Sequence, residues 1–280
     1  MATQEFEIIC EIEPATRPDV MHVRHQIGVL SEVANAYLIP DNHIGRATVS
    51  SIAVAHEVRL MGGRSIACIN ARDRNVLGFR RDLLTAAAYG VHEFLFVYGD
   101  RPETGARSDD LTVKMMIKEA RQFAERAELS GSLRLGVATG LRPVPNWKQS
   151  ADFLLAQVTY STDELLRWRS SVSFDGPIYA GVMVLPSSTM ARKLSGDVPQ
   201  LAVPEAIIRQ LDQDQGSGVD IACDLIREIH ESEAFDGVHL IPVTRYREMA
   251  ARLVPRQATF ARLTSSRRAR SCALRFRQMM

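Results

Sequence analysis

Eight short apolar runs, rich in β-branched residues, recur along the 280-residue chain at intervals of mostly 20–40 residues. Each run is nearly continuous in hydrophobicity, which is typical of parallel strands buried on both faces. The predicted strands are Phe6–Ile12, Ala36–Ile39, Ser65–Ile69, Phe94–Val97, Leu133–Ala138, Phe153–Val158, Ile178–Val184 and Val238–Val243. Eight strand–helix units in about 250 residues predict an α/β fold of the (β/α)8 TIM barrel type. A doubly wound open sheet is the alternative, but no G-x-G-x-x-G motif follows the first run.

Segments with helical periodicity fill most of the gaps between these runs. The predicted helices are Val49–Met61, Asn75–Tyr89, Asp109–Leu129, Thr162–Ser171 and Val219–Glu233, with Thr162 as a candidate cap. The gap between the fifth and sixth strands is too short for a full helix, whereas the gap before the eighth strand predicts an extra helix around Pro204–Leu211. Glycines at 90, 131, 176 and 237 precede strands, where a positive φ is expected.

The C-terminal segment differs from the rest of the chain in charge. Residues 256–280 contain seven arginines and no acid, so residues 1–255 carry a net charge of −6 within a whole-chain charge of +1. We expect one barrel over 1–255 and a loosely ordered, solvated tail over 256–280, with contact to nucleic acid or anionic lipid as the alternative. The acidic body argues against nucleic acid as the main partner.

Composition and cysteine usage predict the compartment. No apolar stretch approaches 18 residues and the N-terminus lacks the apolar core of a signal peptide, so we expect a cytoplasmic protein without a membrane partner. The four cysteines are scattered without a C-x-x-C pair, which favours reduced thiols. The seven histidines form no H-x-H or H-E-x-x-H pattern, and no metal site is predicted.

Glu11 stands out because it is a carboxylate in the otherwise apolar first run. A carboxylate that faces the interior of a strand costs several kcal/mol to keep charged, so it tends to stay protonated or to find a specific partner. At the carboxyl end of a barrel strand it is a candidate general acid. An ion pair with one of the 34 Lys and Arg residues is the alternative.

Polar residues follow the predicted strands, and in a TIM barrel these strand ends surround the active site. They are carboxylates and amides: Glu11 after the first strand, Asp41 and Asn42 after the second, Asn70 to Asn75 after the third, Tyr98 to Asp100 after the fourth and Gln157 after the sixth. No G-x-S-x-G elbow or phosphate-binding P-loop is present. Such a set suits a heterocycle rich in amide groups better than a sugar phosphate.

Five segments at these strand ends resemble the methylenetetrahydrofolate reductase family over roughly residues 5–250. They are Glu11 to Pro14, similar to F-E-F-x-P-P; residues 71–75, similar to C-R-D-R-N; Gly90 to Pro102, which ends in Tyr98-Gly99-Asp100-Arg101-Pro102; residues 151–157, similar to A-D-F-x-x-[TA]-Q; and residues 237–240, similar to G-[VI]-H-[LF]. Each segment is weakly specific alone, but the five in the right order are more so.

The resemblance implies reduction of 5,10-methylenetetrahydrofolate to 5-methyltetrahydrofolate, with NADH or NADPH as hydride source and folate as the small-molecule partner. Glu11 matches the family's general acid, and Asp100 and Gln157 match its pterin-binding residues. Asp41 and Asn42 complete the predicted substrate site. Asp100 as a turn residue and Gln157 as a polar residue of the barrel interior are the alternatives, and Asp73 and Asn75 are as well explained as helix caps.

The family's usual cofactor is FAD, but the matching elements are altered here. Tyr98 replaces the arginine before Gly-Asp, Arg107 stands near the place of an aromatic residue, and residues 140–147 lack the P-E-x-H-P segment. A dinucleotide pyrophosphate needs several donors or helix N-termini. We therefore predict a flavin-independent enzyme in which Tyr98, Asn70 and Trp147 contact the nicotinamide cofactor, although Trp147 is equally well explained by packing.

Two other functions remain open at this stage. One is a tetrahydrofolate-dependent methyltransferase or demethylase on the same barrel, and the other is a non-catalytic folate-binding subunit. A homo-oligomer is compatible with each of them.

Overall fold

The computed structural model describes residues 5–13, 15–100, 103–129, 131–198 and 201–254. Eight parallel strands form a closed barrel in chain order, and the eighth strand pairs with the first. The strands are β1 Glu7–Glu11, β2 Ala36–Ile39, β3 Ser65–Asn70, β4 Glu93–Val97, β5 Arg134–Thr139, β6 Phe153–Ala156, β7 Ile178–Met183 and β8 Gly237–Ile241. The predicted (β/α)8 TIM barrel is confirmed, and the open sheet is wrong.

Helices cover the outside of the barrel between the strands. They are α1 Met21–Leu30, α2 Ser51–Leu60, α3 Val76–Ala88, α4 Val113–Arg126, α5 Thr162–Ser170, α6 Ser188–Asp197, α7 Glu205–Gln213, α8 Ser217–Ser232 and α9 over 246–254. The short connection between β5 and β6 holds a 3-10 turn at Asn146–Ser150, as its length requires. The connection from β7 to β8 contains three helices, of which α6 was not predicted. None of the described helices combines the length and apolar character needed to cross a bilayer.

Two local sequence interpretations are wrong. The N-cap of α5 is Ser161, whose side chain accepts a hydrogen bond from the Glu164 backbone, whereas Thr162 is the first helical residue. Of the four glycines predicted to have a positive φ, only Gly90 has one, at 67°. Gly237 is required for a different reason: a Cβ there would lie 2.1 Å from the backbone oxygen of Glu7 on the neighbouring strand.

The apolar core has two layers, one inside the barrel and one between the strands and the helices. The inner layer is small, and its largest members are Phe153 and Tyr179, whose rings meet edge to face with centroids 6.0 Å apart. Gly136 on β5 makes room for Phe153, because a Cβ at residue 136 would lie 2.1 Å from that ring. These aromatic rings fill the amino-terminal half of the barrel.

A charged cluster closes the amino-terminal end of the barrel below the aromatic rings. Arg64 lies 2.6 Å from Glu7 and 3.1 Å from Glu93, and Arg134 lies 3.0 Å from Glu93. The Tyr179 hydroxyl donates to Glu7 at 2.5 Å and accepts from Arg134 at 3.1 Å. With this end filled, the accessible interior lies at the carboxyl ends of the strands. The tail over 256–280 lies outside the described residues, so its predicted boundary stays a prediction.

Candidate active site

A cavity of about 590 Å³ lies at the carboxyl ends of the strands. This volume is within the range of about 300–1,000 Å³ that is common for small-molecule sites. Its polar and aromatic lining comes from the ends of different strands and the loops that follow: Glu11, Asp41, His43, Tyr98, Asp100, Thr139, Trp147, Lys148, Gln157 and His239. The cavity therefore lies where catalytic residues of TIM barrels are found.

Glu11 points into this cavity from the last position of β1. Alternate residues of a strand face opposite sides, so Ile9, which packs in the inner layer, and Glu11 lie on the inner face. Only 14% of the Glu11 side chain is exposed, and its Oε2 lies 3.1 Å from Nε2 of His239 on β8. The predicted ion pair with Lys or Arg is not formed among the described residues. The nearest ionisable side chain is instead that of a histidine, although no hydrogen bond joins the two residues.

Gln157 follows β6 and also lines the cavity. Its backbone N–H donates to the Thr139 carbonyl at 2.8 Å, which fixes the residue beside the end of β5. Its side-chain amide makes no hydrogen bond to any described residue, and Oε1 lies 3.3 Å from where a Cβ of Gly140 would be. The amide is therefore available to donate and accept hydrogen bonds to a ligand.

Asp100 lines the cavity from the loop after β4 and joins that loop to the one after β2. Its Oδ2 accepts a hydrogen bond from the Ile44 backbone at 3.0 Å. A second bond joins the same loops, from the Glu103 N–H to the Gly45 carbonyl at 3.0 Å. Ile44 lies in a 3-10 turn at His43–Gly45 and has a φ of 59°, a conformation that branched residues rarely adopt. Asp100 therefore has one oxygen engaged by the fold.

Asp41 lines the cavity but its carboxylate is already engaged. Oδ2 lies 2.7 Å from Nη1 of Arg74 and accepts from the Asn70 amide at 2.9 Å and the Asn70 backbone at 3.0 Å. Only 6% of the Asp41 side chain is exposed. The Arg74 guanidinium thus neutralises the Asp41 carboxylate inside the wall of the cavity. Oδ2 of Asp41 is therefore not free to bind a ligand.

Asn42 and Asn70 do not line the cavity in the described structure. The amides of both residues donate to Asp73 Oδ2 at 2.8 Å, and Asn70 is 1% exposed. Asn42 has a φ of 48°, and its backbone and side chain both bond to Thr48. Their side chains hold the loops after β2 and β3 together behind the cavity. Asn75 caps α3 by accepting from the Gly78 backbone at 2.8 Å, whereas Asp73 serves the loop network.

Two aromatic residues form the mouth of the cavity, each beside a cation. The guanidinium of Arg72 stacks 4.6 Å from the centroid of the Tyr98 ring, and 44% of Tyr98 is exposed. The ammonium of Lys148 lies 5.6 Å from the Trp147 ring centroid and donates to the Ala138 carbonyl at 2.7 Å. Burial lowers the pKa of Lys148 from its ordinary value.

The charges around the cavity do not suit a flavin dinucleotide. The described lining residues contribute three carboxylates, Glu11, Asp41 and Asp100, and a single lysine or arginine, Lys148. The Lys148 ammonium is already bonded to a backbone carbonyl. A pyrophosphate requires several free donors or cations. The described residues therefore do not fit the pyrophosphate of FAD, whereas carboxylates suit the N–H groups of a heterocycle.

The wall of the cavity also carries a cysteine, whose thiol is neutral. Cys68 lies on the wall of the cavity, and burial raises the pKa of its thiol well above the ordinary value of 9.0, with a further contribution from Asp41 and Glu11. A neutral thiol is a poor nucleophile. Within the described ranges, no three His, Cys, Asp or Glu side chains are grouped so that they could hold a metal ion.

The structure brings together six of the eight residues predicted for the site. Glu11, Asp41, Asp100, Gln157, Tyr98 and Trp147 line the cavity, whereas Asn42 and Asn70 lie behind it. Four further residues of the polar and aromatic lining were not predicted as site residues: His43, Thr139, Lys148 and His239. His239 lies in a segment that carries the family resemblance, and its inward position follows from the alternation of β8.

Comparison with solved structures supports the same fold. A protein from Clostridium thermocellum, described as binding two copies of 5-methyl-5,6,7,8-tetrahydrofolic acid, is 12% identical with a TM-score of 0.59; 90% of this chain and 96% of that chain are covered. The tryptophan synthase alpha-subunit from Pyrococcus furiosus is 13% identical with a TM-score of 0.51. The match covers 90% of this chain and 97% of that chain. The EDTA monooxygenase from Chelativorans sp. BNC1 is 8% identical with a TM-score of 0.52, covering 90% and 93%. These likenesses show the barrel fold alone.

Sequence comparison identifies the family that this barrel resembles. No curated protein sequence matches the chain. The family model for methylenetetrahydrofolate reductase matches residues 146–257, a segment that begins at the 3-10 turn before β6 and includes Gln157 and His239. Of the five sequence segments that predict a resemblance to the methylenetetrahydrofolate reductase family, residues 151–157 and 237–240 lie within this match, which confirms the resemblance over residues 146–257.

Proposed function

We propose that this protein binds a reduced folate in the cavity and reduces 5,10-methylenetetrahydrofolate to 5-methyltetrahydrofolate. The observation that carries the proposal is the position of Glu11, a carboxyl 14% exposed in a cavity that also holds Asp100 and the unpartnered amide of Gln157. The match to the reductase family model supports it. So does the similar fold of a protein described as binding 5-methyltetrahydrofolic acid.

The polar groups of the cavity suit the edge of a pterin. The free oxygen of Asp100 accepts from the 2-amino group and N3–H, which are donors. The Gln157 amide both donates and accepts, so it pairs with the neighbouring ring atoms. Asp41 supports this edge indirectly, because its pairing with Arg74 and Asn70 fixes the loop after β2. The two residues that contact the pterin therefore select a fused heterocycle with adjacent donors and acceptors.

Glu11 supplies the proton for the reaction. Protonation of N10 by the Glu11 carboxyl breaks the bond between N10 and the bridging carbon, which leaves an iminium on N5. A bound NADH or NADPH supplies the hydride that converts this iminium to the methyl group. The consumed proton passes from Glu11 to N10, so the carboxyl must be reprotonated before the next turnover.

Tyr98 and Trp147 at the mouth of the cavity would hold the nicotinamide ring. Both rings line the cavity, and both carry a cation on one face, Arg72 and Lys148 respectively. The low number of cations in the interior directs the dinucleotide phosphates outward to solvent.

Two measurements on the purified protein test this function. The visible absorbance reports a bound flavin, and the decay of NADH or NADPH absorbance with 5,10-methylenetetrahydrofolate reports turnover. We expect a colourless protein that oxidises the nicotinamide without added FAD and forms 5-methyltetrahydrofolate. A yellow protein that is inactive after removal of its flavin contradicts the flavin-free reaction. A colourless protein that binds folate but does not oxidise the nicotinamide contradicts the reductase and leaves a binding protein or a methyltransferase.

A further inference from the structure

Glu11 and His239 approach each other across the seam where the barrel closes. Their strands β1 and β8 are neighbours, with Ile9 opposite His239 in the register. The Glu11 Oε2 atom lies 3.1 Å from Nε2 of His239, and the two side chains are 14% and 10% exposed. In sequence the two residues are separated by nearly the whole barrel. Closure of the eight strands is what places them together.

The Nε2 atom of His239 is buried and has no hydrogen-bond partner among the described residues. A buried polar atom without a partner destabilises the folded state, so such an atom needs an explanation. Its nearest charged neighbour is the Glu11 carboxylate, and a small rotation of either side chain would make a direct hydrogen bond. Glu11 and His239 both line the cavity, so water in the cavity can exchange protons with both side chains.

We propose that His239 is the proton source for Glu11 and positions its carboxyl toward the substrate. The inference rests on the proposed reduction. When Glu11 has given its proton to N10 of the folate, the Nε2–H of protonated His239 passes a proton to Glu11 Oε2. His239 then takes a proton from solvent through the cavity. One proton is consumed per turnover, as the hydride reduction requires, and both side chains return to their initial state.

The surroundings of the pair contain few other groups that could perform this task. The other titratable or charged groups among the described lining residues are Asp41 and His43 after β2, Cys68 on β3, Tyr98 and Asp100 after β4 and Lys148 before β6. Asp41 is paired with Arg74, Asp100 accepts from Ile44, and Lys148 donates to Ala138. Cys68 holds its proton because burial raises the pKa of the thiol. Unlike these lining groups, His239 lies within hydrogen-bonding distance of Glu11, with 3.1 Å between Nε2 and Oε2.

Chemical rescue distinguishes a proton source from a merely structural residue. His239→Ala leaves a space beside Glu11 that imidazole can enter from the cavity. We expect kcat of this variant to fall by about tenfold or more, within the range of general acid–base effects. Added imidazole should restore part of kcat, and more so at pH values where imidazolium is abundant. His239→Gln fills the space but cannot relay a proton, so it should lose kcat without rescue.

Three controls make the result specific. His56→Gln is the matched substitution on the outside of α2, where the ring stacks on Tyr89, and it should leave kcat unchanged. Glu11→Gln should not be rescued by imidazole, because the acid itself is missing. The thermal midpoint and the Kd for 5-methyltetrahydrofolate should stay close to wild type in both His239 variants.

The possible failures are separable. Absence of nicotinamide oxidation by the wild-type protein would refute the proposed function itself. An active wild type with full activity in His239→Ala would refute the role of His239 alone. So would a stable, folate-binding His239→Ala variant that stays inactive in imidazole. Loss of folding or of folate binding in both variants would show a structural role and would also overturn the inference.

Discussion

The Asp100 carboxylate accepts a hydrogen bond from the backbone N–H of Ile44, with 3.0 Å between Oδ2 and N. This bond joins the loop after β4 to the 3-10 turn at His43–Gly45 and leaves Oδ1 of Asp100 without a described partner. Asp100 is therefore both the turn residue that the sequence allowed as an alternative and a candidate contact for a ligand. The two roles use different oxygens, so they can be separated by mutation.

Asp100→Asn should weaken folate binding while preserving the fold. The asparagine carbonyl can still accept from Ile44, but the substitution removes the negative charge and places a donor opposite the donors of the pterin. We expect the Kd for 5-methyltetrahydrofolate to rise by about tenfold or more, since hydrogen bonds to charged groups contribute about 1.5–3 kcal/mol. The measurement is calorimetric or fluorescence titration, with thermal unfolding beside it.

Asp100→Ala separates the two roles of Asp100, because it also removes the bond to Ile44. It should therefore lower the free energy of unfolding by about 1 kcal/mol in addition to weakening binding. Asp109→Asn, at an exposed carboxylate that pairs only with Arg107 at the surface, is the matched control and should change neither quantity. Unchanged folate affinity in Asp100→Asn would leave Asp100 as a structural residue.

Gln157→Ala should reduce folate affinity more than turnover at saturating substrate. The Gln157 amide has no described protein partner, so its removal leaves no unsatisfied group in the free protein. We expect a rise in Kd of about fivefold to tenfold with kcat changed less than about threefold, which is the pattern of a lost binding contact. Gln149→Ala, on the exposed 3-10 turn, is the matched control.

Gly140→Ala tests the position of the same amide without removing it. The new methyl group would lie 3.3 Å from Oε1 of Gln157, a tight contact that pushes the amide away from the end of β5. Gly140 does not have a positive φ, so the substitution should leave the backbone unstrained. Folate affinity should fall by less than in Gln157→Ala. Wild-type affinity in both variants would place the pterin elsewhere in the cavity.

Glu11→Gln should lower kcat by about 10²-fold or more, because the amide cannot donate the proton that opens the folate ring. The Kd for 5-methyltetrahydrofolate should stay within about threefold of wild type, since the amide has nearly the shape of the acid. Glu13→Gln is the matched control two residues further, where the side chain is exposed. Near-full activity in Glu11→Gln together with a loss in Glu13→Gln would assign the acid to Glu13.

Much of this fold could be predicted because it depends on local pattern. The continuous apolar runs identify all eight strands to within about two residues at most ends, and the alternation of β1 places Glu11 inside the barrel. Position at a strand end was thus sufficient to identify Glu11, Asp41, Tyr98, Asp100 and Gln157 as lining residues.

Position in the sequence alone could not predict which polar side chains are already engaged in hydrogen bonds or ion pairs with other residues. Asp41 is neutralised by Arg74, which lies 33 residues later in the chain, and Asn70 is held by Asp41 and Asp73. The contact between Glu11 and His239 depends on closure of the first strand on the last. Such pairs require the distances between side chains, which strand periodicity does not contain.

The charged cluster at the amino-terminal end of the barrel predicts that the stability of the protein depends on pH. Burial raises the pKa of Glu7, but hydrogen bonds from Arg64 and Tyr179 and the attraction of Arg64 and Arg134 outweigh it, so the pKa lies below its ordinary value of 4.5. A carboxyl with a lowered pKa in the folded state stabilises the protein at pH values above its unfolded pKa. That stabilisation is lost as the pH falls through the folded pKa.

Glu7→Gln should therefore destabilise the protein most at neutral pH. The expected loss is about 1–3 kcal/mol in the free energy of unfolding, because the charge-assisted hydrogen bonds that the Glu7 carboxylate accepts from Arg64 and Tyr179 are replaced by weaker ones. The difference from wild type should narrow as the pH falls below about 4.5, where the wild-type carboxyl begins to lose its advantage. Urea denaturation at a series of pH values measures this difference in the free energy of unfolding between the variant and wild type.

Tyr179→Phe and Glu5→Gln complete this experiment. Tyr179→Phe removes one donor to Glu7 and should cost about 1 kcal/mol at neutral pH, with a smaller loss in acid for the same reason. Glu5 is exposed just before β1, so Glu5→Gln should follow the wild-type curve. Because the charged cluster lies at the opposite end of the barrel from Glu11, folate affinity should be unchanged in Tyr179→Phe. A constant difference between Glu7→Gln and wild type from neutral pH into acid would mean that the Glu7 carboxylate does not stabilise the fold through its charge.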